Sequence, residues 1–347
     1  PLALECKLDD FISDDISTDD IHSNLIYHSR ILCAPEEPEW SVVAGRLETM
    51  RRWKSTQIAE RSFQYYIKEQ IDDGVYLHPG IKKWTKREVI ELGGEIVQER
   101  DLAHSYGSVL TAHAKYLLKN ECIQQMLMAT AMIIASVESK KTRLSFAKEV
   151  YHGLSRRKLS MATPWLSNLR SNKNISSCFI IQSGDSMESI ADNWKNAAMI
   201  SKSGGGLGVD LSLIRAAGAM IDGRPDSSKG ITSWAKIFND IAVAVDQGGK
   251  RAGAFTLHTP IWHRDIEAFL VIQSENGDFR KKAFDIFPQV GLYDIFMEEV
   301  IKDDGGIWHT FCPEEIKRVL DLQLNGVFGK DFNRNYRKCV TAYKVGK

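Results

Sequence analysis

Residues 178–214 read CFIIQSGDSMESIADNWKNAAMISKSGGGLGVDLSLI, and this stretch decides the fold. CFIIQ (178–182) is a short apolar run that reads as a buried strand, and MESIADNWKNAAMIS (187–201) reads as a helix. A glycine cluster then opens GLGVDLSLI (206–214), a second strand. Strand, helix and strand joined by short glycine-rich links form the unit of an α/β sheet or barrel. Downstream the alternation continues. GITSWAKIFNDIAVAVDQ (230–247) reads as a helix, AFTLHTPIW (254–262) as a strand and HRDIEAFLVI (263–272) as a helix. FDIFPQVGL (284–292) and YDIFMEEVI (293–301) repeat the pair.

Upstream of about Lys158 the texture is helical. Ser17, Thr18, Asp19 and Asp20 read as a helix start, and 10–47 as helices broken by Pro35 and Pro38. Ile123, Met126, Leu127, Ala131 and Ile134 form one apolar stripe at helical spacing, and 102–119 behaves similarly. The expected organisation is a helical domain over 1–157 and an α/β domain over 158–347. The final FNRNYRKCVTAYKVGK is polar and basic and reads as a chain end.

Lys+Arg and Asp+Glu both total 45 over 347 residues, so the net charge is zero. That argues against a nucleic-acid binder, which needs clustered excess basic charge, but leaves room for a local nucleotide pocket. Hydrophobic residues at 43% and charged residues at 26% fit a globular protein with a core. The six cysteines (Cys6, Cys33, Cys122, Cys178, Cys312, Cys339) are scattered without a C-x-x-C pair, which fits a reducing cytoplasm better than a disulfide scaffold. No secretory signal opens the chain. The longest mostly apolar run, Met126 to Val137, is shorter than the roughly 20 residues that span a bilayer.

The glycine loops SKSGGGLG (201–208) and DQGGKRAGAF (246–255) let backbone approach a partner closely, and bare N–H groups there can cradle phosphate; an ordinary tight turn is the plainer reading. Neither is a known nucleotide fingerprint. Val209 and Leu211 stand where the last glycine of G-x-G-x-x-G would fall, and Ala244 and Arg251 break the P-loop pattern. Cys178 could be a reactive thiol or a small buried hydrophobe. Asp185 and Ser186 could cap the next helix or hold a ligand hydroxyl. Lys250 and Arg251 could be solvated charges or phosphate readers. His258 and His263 lie five apart with no third ligand nearby and no H-E-x-x-H, so no metal site is expected.

Taken together, LSMATP (159–164), ISSCFII (175–181), SGDSMESI (183–190), ISKSGGGLGVDLSLIRAAGAMI (200–221), DQGGKRAGAFTLHTPIWHRDIEAFL (246–270) and WHTFCP (308–313) resemble, in order and spacing, the large catalytic subunit of ribonucleotide reductases. DIHSNLIYHSRILCAPEEPEWSVVAGRL is similar, more loosely, to the helical region before the barrel. The resemblance implies a helical N-terminal domain followed by the first half of a ten-stranded α/β barrel. It implies that Cys178 is the first of two cysteines that reduce the substrate. It assigns Thr163 and Ser177 to the substrate ribose or phosphate, and Gly205, Gly206 and Gly208 to close approach by the substrate phosphates. Asp185, Ser186 and Arg215 resemble an effector site for ATP or a deoxynucleotide, with Mg as a possible companion. Residues 214–223 resemble the first effector loop. Residues 246–255 resemble the loop that relays effector identity to the substrate base, with Gln247 on the effector side and Arg251 on the substrate side.

The family's radical cysteine lies in an Asn-x-Cys-x-Glu motif, and none occurs here. NECIQ (120–124) ends in Gln and precedes Cys178; Cys312 and Cys339 lack the Asn. The expectation is therefore an enzyme inactive alone and completed by a second polypeptide carrying the rest of the barrel, or a fragment of a longer chain. The resemblance implies further partners: a radical-generating di-metal small subunit in preference to adenosylcobalamin, a ribonucleoside diphosphate, thioredoxin or glutaredoxin, and a second copy in a homodimer. No nucleic-acid or membrane partner is implied, no cofactor is expected on this chain, and no ATP-cone fits before Asp20. The competing reading is a non-catalytic deoxynucleotide-binding regulatory remnant.

Overall fold

The computed structural model describes Leu4 and residues 15–57, 61–245, 252–302 and 305–346. The chain divides into two compact units, Pro1–Ile175 and Ser176–Lys347.

The first unit is helical: α1 (Thr18–Ile31), α2 (Glu39–Thr56), α3 (Phe63–Asp72), α4 (Lys86–Gly94), α5 (Tyr106–Thr111), α6 (Ile123–Ala135), α7 (Arg143–Ser155) and α8 (Thr163–Asn168). Ser17 caps α1, its side chain accepting from the Asp20 N–H, as the sequence predicts. Pro38 stands at the N-cap of α2. α6 departs from the single stripe expected of it. All of its residues except Ile134 are buried, so it is the central rod of the unit. Its polar positions are satisfied in place: Gln124 accepts from the Tyr151 and Ser155 hydroxyls at 2.9 and 2.6 Å and donates to Asp101 at 2.8 Å. The 102–119 stretch is not one helix. A 3-10 turn (Gln98–Ala103), α5 and a π turn (Ala112–Tyr116) share it, with Ser105 capping α5. Although the texture changes near 158, α8 and the fully buried Arg170 still belong to the helical core, so the units part at 175/176.

Asp101 gives this unit a pH signature. Burial pushes its carboxyl up to about 6, against opposing hydrogen bonds from Gln124 and Gln98. The folded state therefore holds its proton more tightly than the unfolded chain. That stabilisation is complete below about pH 4 and is lost as pH rises through about 6, a difference of up to about 3 kcal/mol. Glu88, held at about 2 by Arg143, acts in the opposite sense and only at lower pH. Urea midpoints at pH 4.5 and 7 should therefore fall with pH in the native chain and differ much less in Asp101→Asn.

Among its described residues the second unit holds one four-stranded sheet, β1 (Cys178–Gln182), β2 (Gly206–Asp210), β3 (Phe255–Pro260) and β4 (Phe287–Gly291), ordered β1-β2-β3-β4. Every pairing is parallel. Helices follow the strands: α9 (Met187–Lys202), α10 (Ile231–Ala244), α11 (Ile266–Leu270), α12 (Asp294–Val300), α13 (Pro313–Leu320) and α14 (Gly329–Lys344). Side chains alternate across a strand, so register assigns each to a face. Leu207, Val209, Phe255 and Leu257 join Ile190, Ala197, Ala235 and Phe238 in a core. Cys178, Ile180 and Gln182 point the other way, beside Gly206, Gly208 and Asp210. That face is open, and Ile180 is 88% exposed. CFIIQ is thus a half-buried strand and not a fully buried one.

Two further expectations are corrected. GLGVDLSLI is strand only as far as Asp210, whose carboxylate accepts the Ser212 N–H at 2.9 Å and turns the chain. The polar tail is α14, whose Phe332, Tyr336 and Cys339 are buried on one side. They pack with Trp262, Ile295 and Ile316, and the Phe332 ring stacks on Tyr293 at 3.7 Å.

Candidate functional site

The first cluster lies on the open sheet face. Cys178 is a free, exposed thiol at the start of β1, and the Ser177 hydroxyl lies 3.7 Å from its sulfur. Register sets Gly206 beside Cys178 and Gly208 beside Ile180. Neither glycine carries a side chain, so bare backbone lies next to the thiol, as close ligand approach requires. Gly205 has a different reason to be glycine. A Cβ there would lie 2.7 Å from both the Ile200 side chain and the Phe179 ring. Gly205→Ala should therefore cost about 1–3 kcal/mol through overpacking. A urea titration with an unchanged slope but an earlier midpoint would register it.

At the far end of this face each strand contributes one polar residue in register: Gln182, Asp210, His258 and Gln289. Gln182 donates to Asp210 at 2.7 Å, and His258 Nδ1 lies 3.3 Å from the same carboxylate. Burial works to raise the Asp210 carboxyl, but hydrogen bonds from His258, Ser212 and Gln182 outweigh it and hold it at about 2. His258 thus belongs to an aspartate pair, and among the described residues no group of three or more His, Cys, Asp or Glu could hold a metal.

The second cluster grips the loop after β2. Asp185 accepts the Arg215 backbone N–H at 2.8 Å and its Nε at 2.7 Å. Arg215 Nη1 donates to the Met220 carbonyl at 2.6 Å. Asp185 and Arg215 are therefore brought together. Ser186 caps α9, accepting from the Ser189 N–H at 3.2 Å. His263 donates from Nε2 to the Ile214 carbonyl at 2.8 Å, while its Nδ1 accepts the Asp265 N–H at 3.1 Å. Those two bonds fix one neutral tautomer, and burial pushes the imidazole pKa down. The Cys312 sulfur accepts the Ala216 N–H at 3.3 Å, and burial pushes its thiol up. Asp265 accepts the Ala217 N–H at 3.0 and 3.1 Å, and also the Ile231 N–H at 3.0 Å.

Thr163 is the first residue of α8 and belongs to the helical unit. Gln247 and Arg251 lie outside the described residues, as does most of the 246–255 loop. The clamp residues His263, Asp265 and Cys312 were not singled out for this loop by the sequence. Their partners are backbone atoms 34 to 96 residues away, a relation no local motif carries.

The family model for the ribonucleotide reductase barrel domain matches residues 176–347, and that for the ribonucleotide reductase all-alpha domain matches 102–174. The chain belongs to the ribonucleotide reductase large-subunit family. Among its relatives, the ribonucleoside-diphosphate reductase subunit alpha of Synechocystis sp. is 40% identical over 343 residues, covering 97% of this chain and 44% of that protein. The Helicobacter pylori (strain J99) subunit alpha is 35% identical over 332 residues, with 93% and 41% covered. The Arabidopsis thaliana ribonucleoside-diphosphate reductase large subunit is 34% identical over 317 residues, with 87% and 37% covered. The chain thus spans 37% to 44% of the length of these three relatives. The helical unit followed by a partial parallel sheet agrees with the reductase fold expected from the sequence. Among the described residues no helix is long and apolar enough to cross a membrane.

Proposed function

We propose that this chain supplies the effector site and one reductant cysteine of a ribonucleoside-diphosphate reductase, and that the radical cysteine comes from a part beyond it. The observation that carries the reading is Cys178: a free thiol on an open sheet face, flanked by Ser177 and by the side-chain-free Gly206 and Gly208. A ribonucleotide laid on that backbone brings its 2′ carbon to the sulfur. The 2′ C–O bond breaks and the oxygen leaves as water; a C–H bond forms, and two thiols become one disulfide. Two electrons and two protons thus pass from the cysteine pair to the nucleotide. Ser177, beside the Cys178 thiol, and the side-chain-free Gly206 and Gly208 seat the ribose and phosphates. The pair must then be re-reduced by a thioredoxin or glutaredoxin.

The di-metal small subunit supplies the radical equivalent from outside this chain. The second reductant cysteine also comes from elsewhere. Cys312 is buried and its sulfur is engaged by the Ala216 N–H, which makes it a poor partner. Parallel sheets are normally covered on both faces. An open face in a chain that spans less than half of its relatives supports a completing segment, on the same or a second polypeptide.

The test is reconstitution. The chain is mixed with a polypeptide carrying the Asn-x-Cys-x-Glu part of the barrel and with the radical-generating subunit, then given CDP. Formation of dCDP only in the full mixture supports the reading. Turnover by the chain alone overturns the need for completion. Deoxynucleotide binding without turnover in any mixture favours the regulatory remnant.

A further inference from the structure

Four consecutive residues of the loop after β2 are held at the backbone by side chains from distant parts of the second unit. His263 holds the Ile214 carbonyl, and Asp185, Cys312 and Asp265 hold the N–H groups of Arg215, Ala216 and Ala217. Asp265 differs from the other three because it reaches a second element. One of its carboxylate oxygens accepts both the Ala217 N–H and the Ile231 N–H, the first amide of α10. Gly230, just before that amide, has φ 72°, and a Cβ there would lie 2.3 Å from the same oxygen. The chain is therefore shaped to let the carboxylate in. If Asp265 follows the Ala217 amide, the buried Ile231 N–H loses its acceptor, so a shift at one end is felt at the other.

We propose that Asp265, oriented by the neutral His263, is a positioning residue that couples the nucleotide-responsive loop 214–223 to the start of α10. This rests on the reading of that loop as the effector site. α10 runs 14 residues from Ile231 to Ala244, a rise of about 21 Å, and its far end leads in sequence into 246–255. A shift in Arg215–Ala217 on nucleotide binding is then passed through the shared carboxylate to α10. Asp185 and Arg215 meet the nucleotide; Asp265 does not.

The test uses the full chain with dTTP, dGTP, dATP and ATP as probes, followed by calorimetry and by amide hydrogen exchange. Asp265→Ala should weaken binding of the preferred nucleotide and flatten the ratio between nucleotides, by a factor between about 5 and 150. Asp265→Asn, which keeps an acceptor in place, should fall between that variant and the native chain, and it guards against a variant that fails to fold. In exchange, nucleotide addition should protect the Ala217 and Ile231 amides together in the native chain, but only Ala217 in Asp265→Ala. Native-like ratios and joint protection in both variants would overturn the proposal. If the native chain binds none of the four nucleotides, the effector reading falls first. The coupling is then judged on exchange alone: Ala217 and Ile231 must open together in the native chain and separately in Asp265→Ala, and parallel opening in both overturns it.

Discussion

Cys178→Ser should reduce dCDP formation by the completed enzyme at least about 10³-fold while leaving nucleotide binding intact, an effect of at least about 4 kcal/mol on the barrier. Serine matches the thiol in size and exposes a hydroxyl at the same point of β1, so the fold has no reason to change. It cannot, however, be oxidised to a disulfide, so the two electrons have no source. The check is a single-turnover assay without external reductant, with melting curves of both proteins alongside. The native enzyme should give dCDP in proportion to its cysteine pairs and the variant none. Substantial turnover by the variant would remove Cys178 from the redox pair. Ser177→Ala should be much milder, because the hydroxyl 3.7 Å from the sulfur orients the thiol without exchanging electrons.

Arg170→Met should unfold the helical unit far more readily than any surface change, by about 3–5 kcal/mol. Arg170 and Glu121 are both fully buried in side chain, with Nη2 donating to Oε2 at 2.8 Å. The guanidinium also reaches the Leu166 and Tyr116 carbonyls at 2.6 and 2.9 Å, and Tyr76 donates to the same carboxylate. Burial and the nearby carboxylate hold the Tyr66 and Tyr76 phenols well above their usual range, so no other group there can neutralise Glu121 by giving up a proton. Removing the cation strands a carboxylate in the core. A second change, Glu121→Gln, should recover part of the loss, because an amide tolerates burial better than an unpaired charge. Thermal melting of the two variants would show it, with the single change lowering the transition by roughly 10 °C. Equal melting of Arg170→Met and the native chain would mean that the pair contributes nothing.

The alternation of the second unit was legible because each strand is a short apolar run set off by glycine, and each helix repeats at 3.6 residues. All four strands and the helices α9, α10, α11 and α12 lie where the sequence places them, with ends trimmed by side chains such as Asp210. α14 carries the helical pattern, since Phe332, Tyr336 and Cys339 stand at i, i+4 and i+7, but the polar, basic residues around them make the stretch read as a chain end. Among the site residues, Ser177 and Cys178 are adjacent in one motif, while Gly206 and Gly208 are joined to them only by resemblance and meet them only through the β1–β2 register. Asp185 and Arg215 are 30 residues apart, yet resemblance paired them. In the sequence His263 stands out only as a potential metal ligand, and Cys312 only as a cysteine without the radical motif. Their work is to hold backbone, which leaves no mark in side-chain spacing. The Asp210–His258 pair was missed for a related reason: it exists only once β2 and β3 stand in register.

The sheet that carries Cys178 has consequences for how the protein must be made. β1 and β4 are its outer strands, and Ile180 and Phe287 lie bare on its open face at 88% and 61% exposure. Unpaired strand edges beside exposed apolar side chains recruit whatever strand arrives first. A chain synthesised in excess of whatever covers that face meets its own copies instead, at a rate that grows with the square of its concentration. Light scattering should therefore climb steeply as the isolated chain is concentrated. On the proposed completion by a second part, matched dosage of the two becomes a condition for solubility as well as for activity.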